Sequence, residues 1–260
     1  MNEANYKPHA RLVLGIVLAC LTSAAPADPV VIESPPQRVS LLELYTSEGC
    51  SSCPPADRWV SSLKNAPGLW HRFIPVSFHV DYWDYIGWPD RFASPAYTAR
   101  QYQHASNQSM HTVYTPGFFL NGREWRWRGR DLSEDIIEEA AGVLSLEAAN
   151  TEIKIQFESD NPGRSLSASI ALLGFGIETQ VKAGENAGRL LSHDFVVLSV
   201  DEVPMQRKGD VYSATLNPPS TAVDAKRYAV VAWINAEGSQ VPIQVQDRKN
   251  PASASCSWRS

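Results

Sequence analysis

The chain has 260 residues, 43% hydrophobic and 20% charged, which provides for one large domain or two modest ones and excludes a disordered or fibrous chain. A net charge of −5, with no cluster of Lys or Arg, excludes the electrostatic footprint of a nucleic-acid binder.

Lys7 and Arg11 precede an apolar run from Leu12 to Leu21, and Ala25-Pro26-Ala27 follows it. This is the order of a secretory signal with a small-residue cleavage site. The run is shorter than the roughly 20 residues that cross a bilayer core. Residues 1–27 are therefore expected to be removed from an exported, periplasmic or secreted protein with no stable transmembrane segment after cleavage. Val17-Leu18-Ala19-Cys20 leaves a lipoprotein open, although Leu18 is bulky for that position. Cleavage after Ala27 leaves Cys50, Cys53 and Cys256 in an oxidising compartment. Residues 28–38 read as a linker.

From Val39 to Ala148 strand and helix patterns alternate. Val39 to Tyr45 is an apolar strand, and it gives way to Cys50-Ser51-Ser52-Cys53 and then Pro54-Pro55. Proline suits the first turn of a helix, where its missing N–H removes no bond, and Trp59, Val60 and Leu63 continue at helical spacing. Two thiols two residues apart can close a disulfide within one turn, and a helix N-terminus favours the reactive thiolate of Cys50. A structural disulfide is the plain alternative. Half of a zinc site is a poorer one, because no second Cys pair follows and no His stands at finger spacing.

Phe73 to Val80 is a second, unalternating strand, as expected where both faces are covered. It ends in Phe78-His79-Val80-Asp81-Tyr82-Trp83, on the sheet edge where the Cys pair lies. His79 and Asp81 share one side if the strand continues, and there they could handle a proton for Cys50 or ligate a metal. Trp83 and its aromatic neighbours could line a pocket or pack in the core. Ser94 and Pro95 open a helix to Ser106. Val113-Tyr114-Thr115-Pro116 leads into a strand at Phe118 to Asn121, and Asn121-Gly122 is a hairpin turn signal. Glu124 to Arg128 returns with Trp125 and Trp127 on one face. Asp131 starts a helix in which Leu132, Ile136, Ala140 and Leu144 share a face.

The resulting order, β-α-β-α-β-β-α, is that of a thioredoxin fold, with the Cys pair at the first strand-to-helix turn. Such a fold places a cis-proline opposite the cysteines, which makes Pro116 the expected cis residue. The fold class expected is thus an α/β thioredoxin-like domain over 39–149, within a chain that is α+β overall.

After Thr151 the period becomes two. Ile153 to Phe157, Leu166 to Leu172, Phe195 to Val200, Val211 to Leu216, Ala229 to Ile234 and Val241 to Val245 read as short strands, and no helical pattern interrupts them. A smaller antiparallel β-sandwich-like domain is expected over 150–247, followed by a flexible tail, 248–260. Cys256, in that tail, is an incidental free thiol, a third redox thiol or one end of an intermolecular bridge. Gly184-Glu185-Asn186-Ala187-Gly188-Arg189 is a tight loop in which Glu185, Asn186 and Arg189 are polar contact candidates.

Glu43-Leu-Tyr-Thr-Ser-Glu-Gly-Cys-Ser-Ser-Cys-Pro-Pro-Ala-Asp57, Phe78-His-Val-Asp-Tyr-Trp-Asp84, Val113-Tyr-Thr-Pro116, Asn121-Gly122 and Gly184-Glu-Asn-Ala-Gly-Arg189 together resemble an exported bacterial family known only as domain of unknown function 1223. The resemblance runs from about Val39 to Gln246. It implies a thioredoxin-like domain followed by a β-rich one, and it brings no substrate with it. Gly117 departs from the larger polar residue expected after the proline in relatives.

The leading expectation is a periplasmic thiol-disulfide oxidoreductase. Cys50, Cys53 and Pro116 would carry the chemistry, Ser51, Ser52, Thr115, His79, Asp81 and Trp83 would surround it, and protein thiols or disulfides of the envelope would be the partners, with no cofactor. One alternative is a Cu(I)-binding protein using Cys50, Cys53 and His79. The other is a non-catalytic envelope protein in which the Cys50–Cys53 disulfide only staples a loop.

Overall fold

The structure, a computed structural model, describes residues 30–149, 151–159 and 165–249. Residues 1–27, expected to be a cleaved signal and containing Cys20, and residues 250–260 with Cys256 lie outside them. The first half runs β1 (Val30–Glu33), β2 (Ser40–Thr46), α1 (Pro54–Ser62), β3 (Phe73–His79), α2 (Pro95–Asn107), β4 (Gly117–Leu120), β5 (Arg123–Glu124), the single turn α3 (Leu132–Asp135) and β6 (Val143–Ala148). The second half is strand throughout. It comprises β7 (Ile153–Glu158), β8 (Leu166–Phe175), β9 (Ile177–Gln180), β10 (Leu190–His193), β11 (Val196–Pro204), β12 (Gln206–Lys208), β13 (Val211–Leu216), β14 (Arg227–Ala236) and β15 (Pro242–Lys249). The protein is mixed α+β and mostly strand. Among the described residues no helix is long and apolar enough to cross a membrane.

β2 is buried along its whole length because β3 lies parallel on one side and β4 antiparallel on the other. The sheet does not stop at these strands. It runs β15-β14-β8-β11-β3-β2-β4-β5, so four strands from beyond residue 150 extend it past β3. The join is a short parallel pairing of Val196 with Ser77, whose N–H donates to Phe195 O at 2.8 Å. The change of pattern near 149–150 is therefore not where the sheets divide.

Alternation explains how the added strands stay buried on both faces. Ala171, Leu173, Val231 and Trp233 join the core that holds Leu41, Leu44, Ile74 and Phe78. Their even-numbered neighbours Ile170, Leu172, Ala232 and Ile234 face a second core with Leu144, Leu146, Ile155 and Phe157. That second core is covered by a five-stranded sheet, β1-β6-β7-β13-β12. The sandwich expected after residue 150 thus takes strands from both halves of the chain.

Three sequence expectations change. The helix from Asp131 lasts one turn, capped by Asp131 Oδ1 accepting from Ser133 N at 2.9 Å, and Ile136 is already extended. Positions 132, 136, 140 and 144 are multiples of two as well as of four, and the period-two reading prevails where β6 can pair with β1 and β7. The linker assigned to 28–38 contains β1, whose β-forming residues pair with β6, Val31 opposite Glu147. The strand after the Asn121-Gly122 turn is paired only over Arg123–Glu124, with Trp125 N donating once more to Phe118 O at 2.8 Å. In addition, β15 continues to Lys249, into the segment assigned to the tail.

Candidate functional site

Cys53 is the residue before α1, and Pro54 and Pro55 fill the first turn as expected. Cys50 and Cys53 form a disulfide. Both residues are fully buried, at 0% exposure, although Ser51 and Ser52 between them are exposed. Ser52 Oγ lies 3.3 Å from Cys50 Sγ and 3.5 Å from Thr115 O, and Thr115 O is itself 3.8 Å from Cys50 Sγ. The Thr115–Pro116 peptide bond is cis. Cys50, Ser52 and the Thr115–Pro116 segment, distant in sequence, therefore meet at one end of β2 and β4.

That proline segment is fixed from α2 and from the loop after β3. Gln101 Nε2 donates to Tyr114 O at 2.8 Å, and Trp83 Nε1 donates to Thr115 Oγ1 at 2.7 Å. A Cβ at Gly117 would stand 2.8 Å from Tyr114 O and 3.1 Å from Gln101 Nε2, so a close backbone approach explains glycine after the proline. Trp83 also covers the Cys loop, because a Cβ at Gly49 would lie 3.1 Å from Trp83 Cβ.

The loop between β9 and β10 reaches the other side of the Cys pair. Ser51 N–H donates to the Glu185 carboxylate at 3.0 Å. Asn186, 0% exposed, donates through Nδ2 to Glu48 O at 2.8 Å and to Cys50 O at 3.0 Å, and Arg189 Nη1 donates to Asn186 Oδ1 at 2.6 Å. All three polar candidates of this loop thus serve the Cys segment, one of them through a neighbour.

His79 and Asp81 do not act together. The strand ends at His79 and the chain bends, so Asp81 accepts from Thr98 Oγ1 at 2.5 Å, whereas His79 Nδ1 meets Asp90 Oδ2 at 2.6 Å. Asp90 Oδ2 also accepts from Glu48 N at 2.8 Å. The Glu48 carboxylate accepts from Trp88 Nε1 at 2.9 Å and lies 3.2 Å from His193 Nε2. Burial disfavours the charged forms of His79 and Asp90, yet their mutual attraction holds His79 above and Asp90 below its ordinary value. Burial raises Glu48 as well, and its hydrogen bond with His193 helps bring it below the usual carboxylate range. One turn after Cys53, Asp57 accepts from Thr46 Oγ1 at 2.9 Å, and burial pushes its carboxyl up against the pull of His193 and His79.

Glu48 and Asp57 stand within the motif around the cysteines, and Asp57, four residues after Cys53, shares its helix face. Spacing alone could have marked Asp57. Nothing in the sequence pointed to Asp90 or His193, which arrive through loop and hairpin geometry. His79, the third residue of the copper ligand set, meets Asp90 through Nδ1. Among the described residues no three His, Cys, Asp or Glu side chains are grouped to hold a metal ion.

The fold and site define a mixed α+β protein with a buried Cys-x-x-Cys disulfide at a strand-to-helix junction, enclosed by two loops from other parts of the chain. The chain belongs to the family described as Protein of unknown function (DUF1223), whose model matches residues 41–235. It is similar in structure to protein AGR_C_4864 from Agrobacterium tumefaciens, at 25% identity and a TM-score of 0.62, over 83% of this chain and 96% of that one. HBP35 of Porphyromonas gingivalis shares the fold at 15% identity and a TM-score of 0.58, over 83% of this chain and 76% of that one. No curated protein matches the chain.

Proposed function

We propose that the protein is an exported thiol-disulfide oxidoreductase built on a thioredoxin-like unit, with the β-rich half as a support for its site and not a separate module. The order β2-α1-β3-α2-β4-β5, with the pair at the start of α1, supports the thioredoxin-like assignment. One observation carries the function. The disulfide sits where the N-terminus of α1 meets the Thr115–Pro116 segment, with Thr115 O 3.8 Å from Cys50 Sγ.

The exchange balances in either direction. In the reducing direction, Cys50 thiolate attacks one sulfur of a partner disulfide and expels the other as thiolate. Cys53 thiolate then attacks Cys50 Sγ, releasing the second partner thiolate and leaving the Cys50–Cys53 disulfide. Two electrons pass to the partner, and its thiolates take up the protons that the two cysteines lost. Run backwards, a partner dithiol reduces the pair. Ser52 Oγ, 3.3 Å from Cys50 Sγ, can donate to the Cys50 thiolate.

A second reading has its own observation. Both cysteines are 0% exposed, which suits a disulfide that only staples the loop to α1. Equilibration of the mature protein in glutathione redox buffers, read by thiol alkylation and mass, separates the two. Exchange activity predicts a potential well above the roughly −300 mV of structural disulfides, and loss of exchange in Cys50→Ser. A pair that stays oxidised throughout, or a Cys50→Ser protein that exchanges at the wild-type rate, sinks the oxidoreductase.

A further inference from the structure

We propose that Glu185 is a redox-tuning residue whose negative charge, held at the backbone of the Cys pair, disfavours the Cys50 thiolate and makes the dithiol the better electron donor. The proposal rests on the thiol-disulfide reading above and names a regulator of that same site.

The carboxylate is delivered by construction. Its neighbour Asn186 is wholly buried and hydrogen-bonded to two carbonyls of the Cys loop, so the loop is docked by an amide that carries no charge. Gly184 and Gly188, at φ +72° and +82°, let the backbone turn tightly on either side of the two side chains. Gly184 also packs beside Ile86 and Trp88, where a Cβ would stand 3.3 to 3.4 Å from their side chains. Glu185 itself contributes nothing to the core. It is exposed, and its contact is with Ser51, the residue that follows Cys50.

The surrounding charges do not cancel it. Arg189, the cation of the same loop, is turned to Asn186 Oδ1, and among the described residues no ion pair is made to Glu185. Beneath the Cys loop, Glu48 is engaged by Trp88 and lies 3.2 Å from His193, Asp90 is engaged by His79, and Asp57 on α1 is held toward its neutral form by burial. A helix N-terminus ordinarily stabilises a thiolate through its free N–H groups and dipole. Here the Ser51 N–H is taken by an anion instead. A unit charge held 3.0 Å from the N–H of the residue that follows Cys50 is expected to alter thiolate stability by roughly threefold to tenfold in equilibrium constant, and salt screens part of it.

Glu185→Gln isolates the charge, since the amide oxygen still accepts from Ser51 N–H. Reduced protein is equilibrated with reduced and oxidised dithiothreitol at a pH above the Cys50 thiol pKa, where the Cys50 thiolate and the Cys53 thiol surrender two electrons and one proton, and a second proton from the buffer completes the dithiothreitol dithiol. The expected result for Glu185→Gln is a shift of about threefold to tenfold toward the reduced protein. A matching fall in the Cys50 thiol pKa is read from iodoacetamide rate against pH, and both effects shrink at 1 M salt, where the Debye length is about 3 Å. Glu185→Ala should shift the balance as far as Glu185→Gln does. An unchanged constant and thiol pKa in Glu185→Gln overturns the proposal. So does a shift seen only in Glu185→Ala, which would be structural, or a shift of opposite sign. Wild-type protein that stays oxidised in every glutathione mixture overturns the exchange reading itself, and the two failures are thereby told apart.

Discussion

Asn186 offers the most direct test of how the Cys loop is held. Its side chain is fully buried, and its Nδ2 serves the carbonyls of Glu48 and Cys50 at 2.8 and 3.0 Å. Asn186→Ala strips the buried Glu48 carbonyl of its donor, while the Cys50 carbonyl loses one of two and keeps Cys53 N–H at 3.2 Å. A buried polar group left unsatisfied costs about 1–3 kcal/mol and a lost hydrogen bond about 0.5–1.5 kcal/mol, so the Glu48 carbonyl and the bond to Cys50 O together should cost roughly 2–4 kcal/mol. The Asn186 Oδ1 contact adds little, because Arg189 is exposed and finds water instead. Against a total stability of about 5–15 kcal/mol this is a large loss. Urea denaturation of the oxidised protein should show the midpoint falling with the slope unchanged. Asn186→Asp separates hydrogen bonding from volume. It is nearly isosteric, yet at pH 7 it turns a carboxylate oxygen toward two carbonyl oxygens, and it should lose at least as much as Asn186→Ala. If Asn186→Ala came within about 0.5 kcal/mol of the wild type, or Asn186→Asp were tolerated at pH 7, the two hydrogen bonds would not be what docks this loop.

Two further predictions concern buried charge. Glu43, 0% exposed, receives Arg100 through two nitrogens at 2.8 and 3.1 Å and His104 Nε2 at 3.1 Å. Burial alone would raise its carboxyl, but Arg100 and His104 hold it far below the ordinary 4.5, so its stabilising contribution is present above pH 4.5 and lost as pH falls toward the folded value. Glu43→Gln should therefore cost about 3–5 kcal/mol at pH 7, and its deficit should narrow in acid; a deficit independent of pH between 7 and 3 would count against the ion pair. Asp57 has the opposite sign. Burial raises its carboxyl above the ordinary 3.8, so the folded state binds more protons than the unfolded one and loses stability as pH rises from 3.8 through the folded value. Asp57→Asn, which can still accept from Thr46, should gain on the wild type as pH climbs from 4 to 8 in denaturation midpoints, and a gap that closes over that range would refute the assignment.

The local chemistry of the fold was legible where short-range rules decide the outcome. Ser94 accepts from Ala96 N at 3.3 Å ahead of Pro95, and Asn121 and Gly122 take φ of 49° and 77°, as a mirror-image hairpin turn requires. Where tertiary pairing arbitrates between two periods, as at Leu144, the sequence alone favoured a helix that became a strand. Of the nine strands described beyond residue 150, six were recognisable one by one, and the short β9, β10 and β12 were not. The attachment of the added strands to β3 was not legible, because a strand such as 166–175, with small or apolar residues on both faces, is equally suited to either of two sheets. The site shows the same split. Cys50, Cys53, Thr115 and Pro116 converge as their motifs suggested, and Glu185 and Asn186 were marked by a polar loop between glycines. The expected pairing of His79 with Asp81 presumed that the strand continued two residues further than it does, and Asp90 came from a segment without a pattern of its own.

The short pairing of β11 with β3 decides whether the Cys-bearing half could ever be separated from the rest. A chain ended near residue 149 would keep every sulfur of the site and the proline opposite, yet Ser77 N–H would lose its acceptor and the flank of β3 would be open. Bare strand edges recruit other strands, so such a fragment would seek a second copy of itself in place of β11. It would also lack Glu185 and Asn186, which belong to the hairpin leading into that strand. Transplanting the pair into another scaffold thus requires moving both halves, or redesigning a strand edge and the support of one loop together.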